Sequence, residues 1–127
     1  MKDLRWPALW VGLWVLLIGV VVVLSLGSPP ESPGVPAGDK WQHLTAYFVL
    51  AALAVQVFLP GEPVLRAAVA LVVVGIGLEV AQGTLTDDRM MDWRDAIANA
   101  AGVGLGLLTS RTPVRDVLLR AVPSGRD

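Results

Sequence analysis

The run Ala8 to Leu26 (ALWVGLWVLLIGVVVVLSL) carries no charge, and it limits this chain more than any other feature. As a helix rising about 1.5 Å per residue, it matches a hydrocarbon core of about 30 Å. Lys2 and Arg5 precede it, as they would precede a cleaved signal peptide. Its apolar stretch is longer than a signal peptide needs, and no A-x-A site follows, so it reads as a retained membrane helix. The rest of the chain agrees. Apolar residues make up 54% of the 127 positions, charged residues 17%, and the mean hydropathy is +0.63. Soluble domains are nearer one quarter charged. The net charge of −1 offers no bulk attraction to nucleic acid, so no nucleic-acid partner is expected. With no cysteine, disulfides, thiolate metal sites, a cysteine nucleophile and a lipoprotein anchor are excluded.

Three more apolar runs follow, at about 41–59, 64–83 and 93–110. Together with 8–26 they predict an all-α, single-domain, four-transmembrane-helix bundle covering residues 1–127. Residues 27–38 form a proline- and glycine-rich link that cannot be helical. Pro60-Gly61-Glu62-Pro63 forces a turn. Residues 111–127 read as a basic, polar tail. Four spans place both termini on one side, and the positive-inside rule selects it. With the termini in the cytoplasm, seven basic residues lie inside (Lys2, Arg5, Arg66, Arg111, Arg115, Arg120, Arg126) and three outside (Lys40, Arg89, Arg94). The expected protein is therefore multi-pass in the cell membrane, N-in and C-in, with the lipid bilayer as its first partner.

That topology brings three separated polar groups to one outer depth. Asp39, Lys40, His43 and Tyr47 open the second helix, with Asp39, His43 and Tyr47 at i, i+4 and i+8. Glu79 and Gln82 close the third. Arg89, Asp92, Arg94, Asp95 and Asn99 open the fourth. Charges in lipid are costly, so such stripes face the bundle interior or water. Glu79 sits in VVVGIGLEVAQG with no charged neighbour in sequence, so its partners must come from other helices: Lys40, His43, Arg89 or Arg94. Asp39, Asp87, Asp88 and Arg94 equally fit plain interfacial solvation. Asp39 and Asp92 also suit helix N-caps. His43, Glu79 and Asp95 are the candidate acid–base residues. His43, Glu79, Asp92 and Asp95 are nitrogen and oxygen donors, but no H-E-x-x-H or similar ligand spacing occurs, so neither a metal nor a cofactor is read from the sequence. Gly102-x-x-x-Gly106 in an apolar helix points to close helix contact, within the bundle or between protomers.

DKWQHLTAYF, then EVAQ at Glu79 to Gln82, then RMMDWRDAIANAAGVGLG from Arg89 to Gly106, resembles the VanZ-like family of small membrane proteins. The family pattern matches at Asp39, Lys40, His43, Tyr47, Glu79, Gln82, Arg89, Asp95, Asn99 and Gly102; Asp92 takes a variable position in it. The resemblance spans helices two to four and implies a cell-envelope setting. The family is named for a protein linked to low-level resistance to teicoplanin, a lipid-tailed glycopeptide antibiotic, and the likeness implies no particular reaction.

Three functions stay open at this point. The outer site could bind an outer-leaflet lipid head group or amphipathic ligand, with Lys40, Arg89 and Arg94 meeting anionic groups, Gln82 and Asn99 hydrogen bonding, and Tyr47 stacking. It could be an enzyme site acting on a lipid-linked phosphate or glycan envelope precursor through His43, Glu79 or Asp95. Or its polar residues could only hold the helices in register.

Overall fold

The computed structural model describes residues 1–27, 38–87 and 90–125. Most of the proline- and glycine-rich link lies outside the described residues, as do Asp88, Arg89, Arg126 and Asp127. The regular elements of the described residues are all helical: α1 (Pro7–Leu26), α2 (Gly38–Val57), α3 (Glu62–Leu85), α4 (Trp93–Leu108) and a short α5 (Val117–Ala121) after two 3-10 turns, Thr109–Arg111 and Pro113–Asp116.

Local chemistry sets the ends of these helices. Pro7 occupies the first turn of α1, where its missing N–H costs nothing, and Gly61 precedes α3 at φ 92°, a region that favours glycine. The α2 helix begins at Gly38 rather than at Trp41, because Asp39 and Lys40 join its first turn. The α3 helix runs two residues past Gly83, where the Thr84 and Thr86 hydroxyls donate back to the carbonyls of Val80 (2.8 Å) and Gln82 (2.6 Å). Asp92 caps α4, its Oδ1 accepting the Arg94 N–H at 2.9 Å.

Two helices, α1 and α3, are long and apolar enough to cross a membrane; α2 and α4 fall short of that measure. The α4 helix has 16 residues, about 24 Å of rise. The first turn of α2 carries Asp39 and Lys40, which dilute its hydropathy. Very little of α1 is buried in the bundle. Leu9, Leu13, Val15, Leu16, Val20, Val23 and Leu24 are all exposed, a larger apolar surface than water-facing helices present.

The helices alternate in direction. The C-terminal ends of α1 and α3 meet the N-terminal ends of α2 and α4: Gln82 bonds Ser25 between the first two, Lys40 bonds Asp92 between the second two, and the Asp92 N–H donates to Glu79 across the pairs. The core between them uses small and aliphatic residues: Leu50, Ala51 and Ala54 from α2, Ala67, Ala68 and Leu71 from α3, and Val103 from α4. Trp14 closes it from α1. Its indole N–H donates to the Leu50 carbonyl at 2.8 Å, and its ring meets Phe58 edge to face at 5.2 Å.

Residues 109–125 are more than a polar tail. They fold back on the N-terminal segment, since half-buried Leu118 and Leu119 alternate with exposed Arg115 and Arg120. Lys2 is buried here, its ammonium donating to the Arg115 carbonyl (2.5 Å) and Asp116 Oδ1 (2.9 Å). Gln56 ties the same arm to α2 through Val114 O (2.8 Å) and Leu118 N (3.1 Å). The Lys2 ammonium, with Arg115 second, holds the Asp116 carboxyl below the usual carboxylate range. A depressed folded-state value means this stabilisation is present above the ordinary range near ~4 and is lost as pH falls below it. Asp116→Asn is expected to speed protease cleavage within 109–125 several-fold at neutral pH. Wild-type protein should show the same loosening only on acidification; equal cleavage of the two at neutral pH would discount the clasp.

Candidate functional site

At the opposite end, three helices deliver polar side chains to one place. Lys40 and His43 come from α2, Glu79 from α3, and Asp92, Asp95 and Asn99 from α4. The α2 and α4 helices run side by side in the same direction, so equivalent turns of their first segments face each other. Gly102 and Gly106 permit this. A Cβ at Gly102 would strike the Leu44 carbonyl oxygen and lie 2.9 Å from Phe48 N; one at Gly106 would lie 2.6 Å from both Phe48 O and Ala51 Cβ. On the α3 side, Gly75 admits Asn99 and Tyr47, whose atoms would lie 3.2 and 3.3 Å from an added Cβ.

The ammonium of Lys40 bridges two carboxylates, donating to Asp95 Oδ1 at 3.0 Å and Asp92 Oδ2 at 3.1 Å. Asp95, then Asp92, keeps the lysine charged well above its usual range. The Arg94 backbone N–H, then the Lys40 ammonium, holds the Asp92 carboxyl below its usual range. His43 lies one turn deeper, with Nδ1 3.0 Å from Asn99 Oδ1. Its ring stands between two carboxylates: Nδ1 is 3.9 Å from Glu79 Oε1 and Nε2 is 3.7 Å from Asp95 Oδ2. Glu79 is 1% exposed. Its Oε2 accepts the Asp92 N–H at 3.4 Å, and its Oε1 has no hydrogen-bond partner among the described residues. The Asn99 amide nitrogen and the Tyr47 hydroxyl are buried without partners as well. These are acceptor-rich surroundings, suited to holding a proton, a cation or a hydroxyl-bearing ligand.

Not every expected residue joins this cluster. The stripe Asp39, His43, Tyr47 runs from surface to core rather than along a cleft wall. Asp39 is exposed and lies 3.5 Å from Lys40. It sits inside the first turn of α2 and is not a residue preceding it. Tyr47 is buried among the core residues, so its ring is not offered to a ligand for stacking. Gln82 is equally buried, but its Nε2 donates at 2.7 Å to the Ser25 carbonyl of α1, so it ties helix ends together. Arg94 is exposed and lies over the Trp93 ring at 5.6 Å. Arg89 lies outside the described residues. Of the cations expected beside Glu79, Lys40 is engaged by aspartates and Arg94 by the indole, which leaves the His43 ring as its nearest described basic group. The bond to Ser25 had no sequence signal, because its acceptor is a backbone carbonyl.

Neither a protein-family model, nor a curated protein, nor a solved structure matches the chain.

Proposed function

We propose that this chain is a multi-pass membrane protein of the VanZ-like type, with four spans and both termini in the cytoplasm. Its polar site opens on the extracytoplasmic side and binds the head group of an amphipathic cell-envelope molecule. One observation carries the reading: Lys40, His43, Glu79, Asp92, Asp95 and Asn99 converge at a single end of the bundle, with the exposed apolar sides of α1 and α3 alongside. A head group would meet the polar end while its tail lies on the apolar helix surface. The local chemistry favours ligands that donate hydrogen bonds, such as glycan hydroxyls or amines, since the described carboxylates outnumber free cations there. Support for the orientation comes from the basic residues, seven on the proposed inner side against three on the outer.

A second reading, an enzyme acting on a lipid-linked envelope precursor, is favoured by the imidazole standing between Glu79 and Asp95. In that case Glu79 takes a proton from a hydroxyl or water and His43 returns one to the leaving group.

The test has two arms. Because the chain lacks cysteine, single replacements report sidedness directly. Met90→Cys, at an exposed position beside the site, should react with a membrane-impermeant maleimide on intact cells, and Val114→Cys should react only after permeabilisation. The second arm is mass spectrometry of envelope lipids that co-purify with the protein in nanodiscs. Wild-type chain should enrich a lipid class that His43→Ala loses. Reversed labelling would overturn the topology, and no enrichment would overturn head-group binding. Conversion of the enriched lipid by wild-type but not Glu79→Gln protein would move the assignment to the enzyme.

A further inference from the structure

We infer that His43, Glu79 and Asp95 bind a divalent transition-metal ion of the Zn2+ or Mn2+ type at the polar end of the bundle. One ligand atom from each of the three lies within 4.8 Å of the other two. The inference goes beyond head-group binding and holds whatever molecule the site accepts.

The pattern of partners is the main argument. Each of the three side chains is held on one side by the protein and is bare on the other. Asp95 Oδ1 accepts from Lys40 at 3.0 Å, while Oδ2 faces the imidazole. Glu79 Oε2 accepts from Asp92 N, while Oε1, nine-tenths buried and more, has no partner among the described residues. His43 Nδ1 meets Asn99 Oδ1 at 3.0 Å. Because that oxygen only accepts, Nδ1 carries the proton and Nε2 presents its lone pair to Asp95 Oδ2, 3.7 Å away. Two acceptors facing each other in a nearly dry site repel unless something positive stands between them. Outer-shell partners that fix a histidine tautomer and orient carboxylates, leaving the inner atoms bare, are how proteins prepare metal ligands.

Charge and size point the same way. Among the described residues, Lys40 is the one ammonium hydrogen-bonded to this cluster of three carboxylates, Glu79, Asp92 and Asp95, which leaves an excess of negative charge that a divalent ion offsets. Nitrogen and oxygen donors at bonds of about 2.0–2.2 Å place ligand atoms about 3–3.5 Å apart in such sites. The 3.7 Å between Nε2 and Asp95 Oδ2 exceeds this by a few tenths of an ångström, and one ligand atom of each residue lies within 4.8 Å of the others, a closure that side-chain torsions of Glu79 and Asp95 supply. One imidazole with two carboxylates suits Zn2+ or Mn2+ better than Ca2+ or Mg2+, which favour oxygen alone. Three protein ligands leave at least one coordination position for water or a ligand oxygen.

The full chain, carrying a non-histidine affinity tag, should be purified in detergent, stripped with chelator and titrated with Zn2+ and with Mn2+. The expected result is one ion per chain, a higher melting temperature with metal, and a Mn2+ spin-echo signal coupled to an imidazole nitrogen. His43→Gln should remove that nitrogen coupling and, like Glu79→Gln, weaken binding at least 100-fold. Asn99→Ala, which removes an outer-shell partner, should weaken binding about 10–100-fold. Circular dichroism and gel filtration verify folding, and Asp95→Asn, close in shape, replaces any variant that fails to fold. Folded wild-type protein that takes up no stoichiometric ion overturns the inference. So does metal binding that survives unchanged in the folded variants, and so does a nitrogen coupling that persists without His43.

Discussion

Gly102→Ala will push α4 off α2, and the purified variant will be markedly less stable than wild type. The added methyl would strike the Leu44 carbonyl oxygen and crowd Phe48 N at 2.9 Å. Both obstacles are backbone atoms of a regular helix, so no rotamer change relieves them. Overpacking of this kind costs about 1–3 kcal/mol, and more where the backbone must move. Gly106→Ala meets the same obstacle one turn on, from Phe48 O and Ala51 Cβ at 2.6 Å, and the double variant should not yield monodisperse protein. The control lies between them. A Cβ at Gly104 has nothing within 4 Å, so Gly104→Ala should be neutral, or stabilising by about 0.5–1 kcal/mol from reduced backbone freedom. Thermal melts of the three single variants in one detergent decide the matter. Equal melting temperatures for Gly102→Ala and Gly104→Ala would mean that α2 and α4 are not in backbone contact. The effect extends to function, because the same contact aligns Lys40 and His43 with Asp92, Asp95 and Asn99.

Glu79→Gln separates function from stability. In metal-free protein the variant should fold as well as wild type, or be more stable by about 1 kcal/mol or more. A buried carboxylate with one bare oxygen and one long hydrogen bond is poorly compensated, and neutralising it removes a desolvation cost. The same change should weaken head-group binding about 10- to 100-fold, the usual worth of a hydrogen bond to a charged group. The checks are a chelator-treated melt and a complementation assay scored by envelope lipid composition and glycopeptide susceptibility. Lower abundance of folded protein would show Glu79 to be structural glue between helices, and would remove the reason for placing chemistry there.

How much of this was legible beforehand differs by element. Ala8–Leu26 was readable as a helix nearly to the residue, because an uncharged run that long has one stable backbone in lipid, with every N–H and C=O paired internally. Asp92 as the cap of α4 was readable too, since a capping bond is local in sequence. Gly102 and Gly106 were readable as a contact, but not their partner, because any small-residue face can receive any helix. Within the stripe from Asp39 to Tyr47, helical spacing put three residues on one face correctly and misjudged their depth. Periodicity gives an angle around the helix and says nothing about distance from the surface, so exposed Asp39 and buried Tyr47 looked equivalent. Gln82 went astray for a related reason: its acceptor, the Ser25 carbonyl, leaves no trace in residue type. The folded arm at 109–125 was missed because its anchor is Lys2, at the far end of the chain.

Composition, uncharged runs and turn residues alone determined that the chain is helical, apolar, free of cysteine chemistry and polar at three separated points. These properties follow from short-range terms: backbone pairing, side-chain transfer energies and the rigidity of proline. Which donors face one another was decided only by the tertiary structure. The parallel approach of α2 and α4 over two glycines, and the antiparallel return of α3, set His43 between Glu79 and Asp95 at under 4 Å. Such a meeting depends on the relative rotation and offset of three helices, and side-chain packing across their whole length selects these.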